Sequence, residues 1–126
     1  MPIMLEVSFP APAKALTLNQ RLHWAERAKR TKAWRTRACE ETRSAIERHG
    51  FSADRVHVVV TLSFADGRRR DVHNWLPTVK ACIDGMVDAG LVPDDDDTYL
   101  VGPDLRRGRT AKREAPYLHF EVRPIG

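Results

Sequence analysis

The chain has 126 residues, is 42% hydrophobic and 30% charged, and carries a formal net charge of +4 with a pI near 9.4. That length supports one domain with a single modest core, and the balance of apolar and charged residues excludes a disordered chain. No apolar run approaches the roughly 20 residues that cross a bilayer, so no membrane-spanning helix is expected, while the basic surplus permits an anionic partner.

The opening MPIMLEVSFPAPA has neither the basic start nor the long apolar stretch of a signal peptide, so a cytoplasmic protein is expected. Within it IMLEVSF (3–9) alternates as a strand does, and PAPA stops it because proline offers no N–H to a ladder. Asn19 reads as a helix N-cap. From Gln20 to about Arg48 helix formers run without proline or glycine. Leu22, Ala25, Trp34, Ala38, Ala45 and Ile46 can share one apolar stripe, and the remaining surface is mostly Arg, Lys and Glu. His49-Gly50 closes this helix, with Gly50 suited to a left-handed cap.

RVHVVVTLSF (55–64) is rich in β-branched residues and predicts a central strand. ADGRRRD follows as a loop with Asp66-Gly67 as its turn signal. Pro77 suits the first turn of a second helix that runs to about Asp88 and ends at Ala89-Gly90. Val79, Ile83, Met86 and Val87 would face inward there, and Lys80 and Asp84, four apart, share a face. LVPDDDD is a loop, TYLVGPDL (98–105) a strand, RRGRTAKREA a basic connection and PYLHFEVRP the last strand. The order β-α-β-α-β-β predicts a single α+β domain over residues 1–126, with two main helices against a small mixed sheet. The last two strands are expected to form a hairpin whose basic loop reaches a ligand.

Cys39 and Cys82 lack any CxxC spacing and read as small buried side chains in a reducing compartment. Trp24, Trp34 and Trp75 read as core or amphipathic anchors rather than base-stacking platforms. His57 and His119 lie in strands without metal-ligand spacing.

The chemistry concentrates around RRRDVHNW (68–75). Asp71, Asp84 and the run Asp94 to Asp97 are the acidic positions of interest. A short helix between two loops is expected to bring Asp71 and the acidic run to the same end of the sheet. Carboxylates converging there repel one another unless a cation neutralises them, and hard oxygen ligands favour Mg²⁺ or Mn²⁺. Such an ion activates water and stabilises a leaving oxygen, and Lys80 is placed to offset charge on a phosphate. The plainer readings are a solvated acidic loop, an exposed Lys80–Asp84 helix pair and a generic phosphate patch at Arg68 to Arg70.

RRRDVHN followed by VKACIDGMVDAGLVPDDDD resembles the RusA family of Holliday-junction resolvases, the crossover junction endodeoxyribonucleases. The family pattern is basic residues leading into Asp-x-Asp-Asn, a helix with Lys-x-x-x-Asp, an Ala-Gly and then an Asp-Asp pair. Asp71 and Asn74, Lys80 and Asp84, Ala89-Gly90 and Asp94-Asp95 match it in order, over roughly residues 68 to 97. The resemblance implies a homodimeric, Mg²⁺-dependent endonuclease that hydrolyses phosphodiesters in four-way junctions or related branched DNA during recombination, replication or repair. It implies a bacterial cytoplasmic setting and often a phage or prophage origin. Its catalytic residues would be Asp71, His73, Lys80 and Asp95, and its metal ligands Asp71, His73, Asp94 and Asp95, with Mn²⁺ as the second candidate ion. Arg68, Arg69, Arg70, Asn74 and Lys80 would grip DNA, joined by Arg106, Arg107, Arg109, Lys112 and Arg113 and by the basic face of the first helix.

The chain departs from the family pattern in two places. His73 stands where the second catalytic aspartate is usual, and three additional residues, Pro77 among them, separate Asn74 from Lys80. A neutral imidazole binds Mn²⁺, Fe²⁺ or Zn²⁺ more readily than Mg²⁺ and removes one negative charge. The alternative function is therefore a weakened or inactive relative that binds branched DNA without cutting it. A third reading is an interaction module whose basic surfaces serve protein or RNA.

Overall fold

Apolar residues at every second position build strand β1 (Leu5–Pro10), which turns Leu5, Val7 and Phe9 into the core. The computed structural model describes residues 4–110 and 116–126, so Lys112 and Arg113 of the basic connection lie outside the described residues. Helix α1 (Trp24–His49) follows, then β2 (Val56–Ser63), a 3₁₀ turn at Val72–Trp75, helix α2 (Leu76–Asp88), β3 (Leu100–Arg107) and β4 (Tyr117–Pro124). This is the expected α+β domain with a four-stranded mixed sheet and the order β-α-β-α-β-β.

The sheet order is β1-β4-β2-β3. Strand β4 runs antiparallel to both β1 and β2, and β3 runs parallel to β2. The expected hairpin of the last two strands is therefore not formed. The sequence of β3 explains why. Pro103 has no N–H to give, Gly102 takes φ 103°, and the pairing with β2 shifts register between His57 and Val59. Such a strand belongs at an edge. Strand β4 alternates without interruption, and its Leu118, Phe120 and Val122 are fully buried, as an interior strand requires.

Both helices join one core with the inward side chains of the strands. In α1 the buried positions are Trp34, Ala38, Thr42 and Ala45. Ala25, assigned to that stripe from its spacing, is exposed, because at about 3.6 residues per turn it falls on the side of α1 opposite Trp34. Gln20 accepts the Thr17 N–H through its side chain at 3.0 Å, so residues 17–20 form a turn and Asn19 does not cap. His23 is the cap instead, its Nδ1 accepting the Ala25 N–H at 3.2 Å. At the other end Gly50 closes α1 at φ 60°, as expected.

The helices cross closely at Gly85. A Cβ there would lie 2.1 Å from the Arg35 carbonyl oxygen, so only glycine admits the approach. The segment between β1 and α1 is pinned to both helices. Thr78 Oγ1 donates to the Leu16 carbonyl at 2.6 Å and accepts the Leu16 N–H at 2.8 Å, while Trp34 Nε1 donates to the Lys14 carbonyl at 3.0 Å. Cys82 is buried, which pushes its thiol pKa well above the usual range, whereas Cys39 is half-buried. Among the described residues no helix is long and apolar enough to cross a membrane.

Candidate active site on the exposed side of the second helix

Lys80 and Asp84 project from successive turns of α2, with Nζ 3.3 Å from Asp84 Oδ1. The Lys80 ammonium also pairs with Asp95, so it ties the loop after α2 back against the helix. Within that loop Asp94 Oδ1 accepts the Asp95 N–H at 2.7 Å and Asp96 Oδ1 accepts the Thr98 N–H at 2.8 Å. These two carboxylates shape the backbone, and Asp95 is the member of the run that meets Lys80.

Asp71 lies before the helix. It caps the 3₁₀ turn, its Oδ1 accepting the His73 N–H at 3.0 Å, with His73 Nδ1 3.3 Å from the same oxygen. Both side chains are open to water, at 76% and 74% exposure. The residues between Asn74 and Lys80 form the end of this turn and the first turn of α2. Asn74 serves through its backbone, its N–H donating to the Asp71 carbonyl and its carbonyl accepting the Leu18 N–H, each at 3.0 Å.

The expectation that the two acidic loops share one end of the sheet needs correction. Because β2 and β3 are parallel, the loop leaving β2 and the loop entering β3 start from opposite ends of the pair. Lys80 reduces the separation: it sits one turn into α2 from the turn that Asp71 caps, and it holds Asp95. Among the described residues no hydrogen bond or ion pair joins Asp71 and His73 to Lys80, Asp84 and Asp95. Nor do three His, Cys, Asp or Glu side chains converge there as a metal-holding group. The donor chemistry fits a hard cation held by one or two carboxylates and completed by substrate phosphate and water, the mode Mg²⁺ favours, rather than a closed protein cage.

The arginines are organised by Asp66, which spacing alone marked only as a turn residue. Its Oδ1 accepts the Arg68 N–H and Arg70 Nη1, both at 2.9 Å, and Arg68 Nε lies 3.4 Å from Oδ2. The bond from Arg70, followed by that from the Arg68 backbone, holds the Asp66 carboxyl below its usual pKa. The useful signal was an aspartate two and four residues ahead of arginines, the spacing of a side chain that folds its own loop.

Arg70 and Arg107 both lie over the Phe64 ring, 4.6 and 5.4 Å from its centroid, and Phe64 meets Trp75 edge-on at 5.3 Å. Arg70 from the loop after β2 and Arg107 from the end of β3 are thus gathered on one aromatic platform beside the turn that Asp71 caps. Arg106 alternates to the other side of the sheet from Arg107. Arg69 and Arg109 are exposed, and among the described residues Arg69 has no ion-pair partner. His57 and His119, left without a role by their spacing, pair with Asp104 at 2.6 Å and Glu6 at 3.5 Å on the side of the sheet away from the helices.

Spacing also missed the clamp between the helices. Arg35 donates to both oxygens of Asp88, at 2.6 and 2.9 Å. That hydrogen bonding raises the Arg35 pKa and lowers that of Asp88, and the charge of nearby Asp84 raises Arg35 further. The exposed side of α2 therefore continues onto α1.

In comparison with known proteins, no family model matches the chain and no curated protein matches it significantly.

Proposed function

We infer that the protein is a metal-dependent, structure-selective DNA endonuclease of the RusA type, acting as a homodimer on four-way junctions or related branched DNA. The observation that carries this reading is Lys80. It holds Asp95 from the acidic loop while standing one helical turn from the segment that presents Asp71 and the arginines. The ordered residues of the resemblance and the net positive charge point the same way.

In this reading Arg69, Arg70 and Arg107 hold the phosphate backbone, which positions the strand without reading sequence. Lys80 shifts from its carboxylates toward the phosphate and offsets the charge that builds there. Asp71 and Asp95, with His73 and Asp94 beside them, would hold a divalent ion, which supplies activation of water and stabilisation of the leaving oxygen. A second reading, binding of branched DNA without cutting, is favoured by the contact between His73 and Asp71, which places an imidazole against the carboxylate that most needs a metal.

The deciding experiment incubates purified protein with a labelled four-way junction in Mg²⁺, Mn²⁺ or Co²⁺. The expected result is nicked product, lost by at least about 100-fold in Asp71→Asn and Asp95→Asn, with junction binding retained; that loss corresponds to roughly 2.7 kcal/mol of transition-state stabilisation. Cutting by both variants at the wild-type rate overturns the site. Binding without product in every metal, with cutting gained in His73→Asp, establishes the second reading.

A further inference from the structure

We propose that Trp24 is a stacking platform for an unpaired base, and that the α1 face running from it toward the candidate site is the track for the adjoining phosphates. The inference rests on the nucleic-acid reading above and adds to it the part of the substrate that is not duplex. Trp24 reads from the sequence as a core or amphipathic anchor, yet it is 76% exposed, the most exposed large apolar side chain among the described residues. Trp34 and Trp75 do belong to the interior, meeting edge-on at 6.4 Å. Trp24 instead stands on the first turn of α1 beside the ring of His23, 5.4 Å away between centroids. His23 caps the helix through its Nδ1, and the indole beside it stands at the helix start rather than in the core.

The surroundings select an anion. Trp24, Arg27, Ala28, Thr31, Lys32 and Arg35 line one shallow open trough along α1, with no carboxylate among them. Among the described residues the side chains of Arg27 and Lys32 have no hydrogen-bond or ion-pair partner. Arg35 at the far end is tied to Asp88. A second copy of this chain is a poor occupant, because a two-fold axis through the face would set these cations against themselves. A flat aromatic surface followed by a row of cations suits a strand with one base turned outward.

The track also has a length. From Trp24 to Arg35 is eleven helical steps, roughly 16 Å at the α-helical rise. This matches about five phosphate steps along one strand of a duplex.

The test measures binding in EDTA, so that cutting plays no part. Full-length protein is titrated with a four-way junction, a fork with unpaired arms, oligo-dT and a blunt duplex, following tryptophan fluorescence and anisotropy. Wild type is expected to show quenching with DNAs that offer unpaired bases and little with blunt duplex. Trp24→Ala should weaken binding to the fork and oligo-dT by roughly 5- to 100-fold, the effect of removing one base–aromatic stack, and change duplex binding by less than about twofold. Trp24→Phe should keep most of the affinity, and both variants should melt as wild type does, because the side chain is outside the core.

Equal affinity of wild type and Trp24→Ala for every DNA overturns the inference and leaves the nuclease reading standing. Absence of DNA binding by wild type at low salt overturns both. A change of oligomeric state in Trp24→Ala with DNA binding intact assigns the face to a protein partner and overturns the inference.

Discussion

One side of α2 turns Val79, Cys82, Ile83 and Met86 into the core, each at 1% exposure or less, while the other turns Lys80, Asp84 and Asp88 toward water. Burying an aliphatic side chain contributes about 1.5–3 kcal/mol, whereas exposed ion pairs contribute about 0.2–1 kcal/mol each. The apolar side therefore decides whether the helix is held in place. The charged side contributes little to that, and its residues can be arranged for chemistry. Substitutions proposed for the candidate site should accordingly leave the fold intact, which makes loss of activity interpretable.

The sharpest way to break this contrast is Gly85→Ala. Alanine favours a helix over glycine by about 1 kcal/mol, but its Cβ would meet the backbone oxygen of Arg35 at 2.1 Å. Relief requires the helices to part, and overpacking of this kind costs about 1–3 kcal/mol. With a backbone atom as the obstacle the upper end applies, so a net loss of about 2 kcal/mol is expected in urea unfolding. Unchanged stability would mean that the crossing is looser than described.

A smaller effect is expected from Asp88→Asn, which removes the two-bond clamp to Arg35. The pair is about half exposed, so its contribution at neutral pH is about 0.2–1 kcal/mol. Asp88 titrates below its ordinary value of 3.8 when folded. The clamp's contribution is thus complete above that value and lost as pH falls through the lower, folded one. Stability curves of variant and wild type should be separated at pH 7 and converge as pH falls through the lowered, folded titration of Asp88. Separation that persists in acid would assign Asp88 a role other than this ion pair.

The smallest change should come from Lys80→Met, within about 0.5 kcal/mol of wild type by thermal unfolding, as for surface positions generally. A loss as large as that of Gly85→Ala would show the charged side to be structural.

The elements were legible where one physical signal dominated. The β-branched run of β2, the inward spacing of Val79, Ile83 and Met86 and the cap at Gly50 all follow from periodicity or backbone geometry. The strand order was not legible, because a hairpin between neighbours in sequence looks the same as two separated strands until Pro103 is given its weight at an edge. The start of α1 was misplaced because Asn19 is the better cap by residue type, and the competing bond from Thr17 to Gln20 is a local matter of side-chain reach. In the candidate site, the pairing of Lys80 with Asp84 follows from helical spacing, whereas that with Asp95 depends on how the acidic loop folds back.

The interior position of β4 has a consequence for how the molecule is made. It bridges β1 and β2, and its partners are residues 5–10 and 56–63. A nascent chain emerging from the ribosome can assemble the helices and the parallel β2–β3 pair, but β1 has no strand to pair with until residues 117–124 have been synthesised. Closure of the sheet thus waits on residues 117–124, and until they arrive two hydrophobic strand edges stay unpaired.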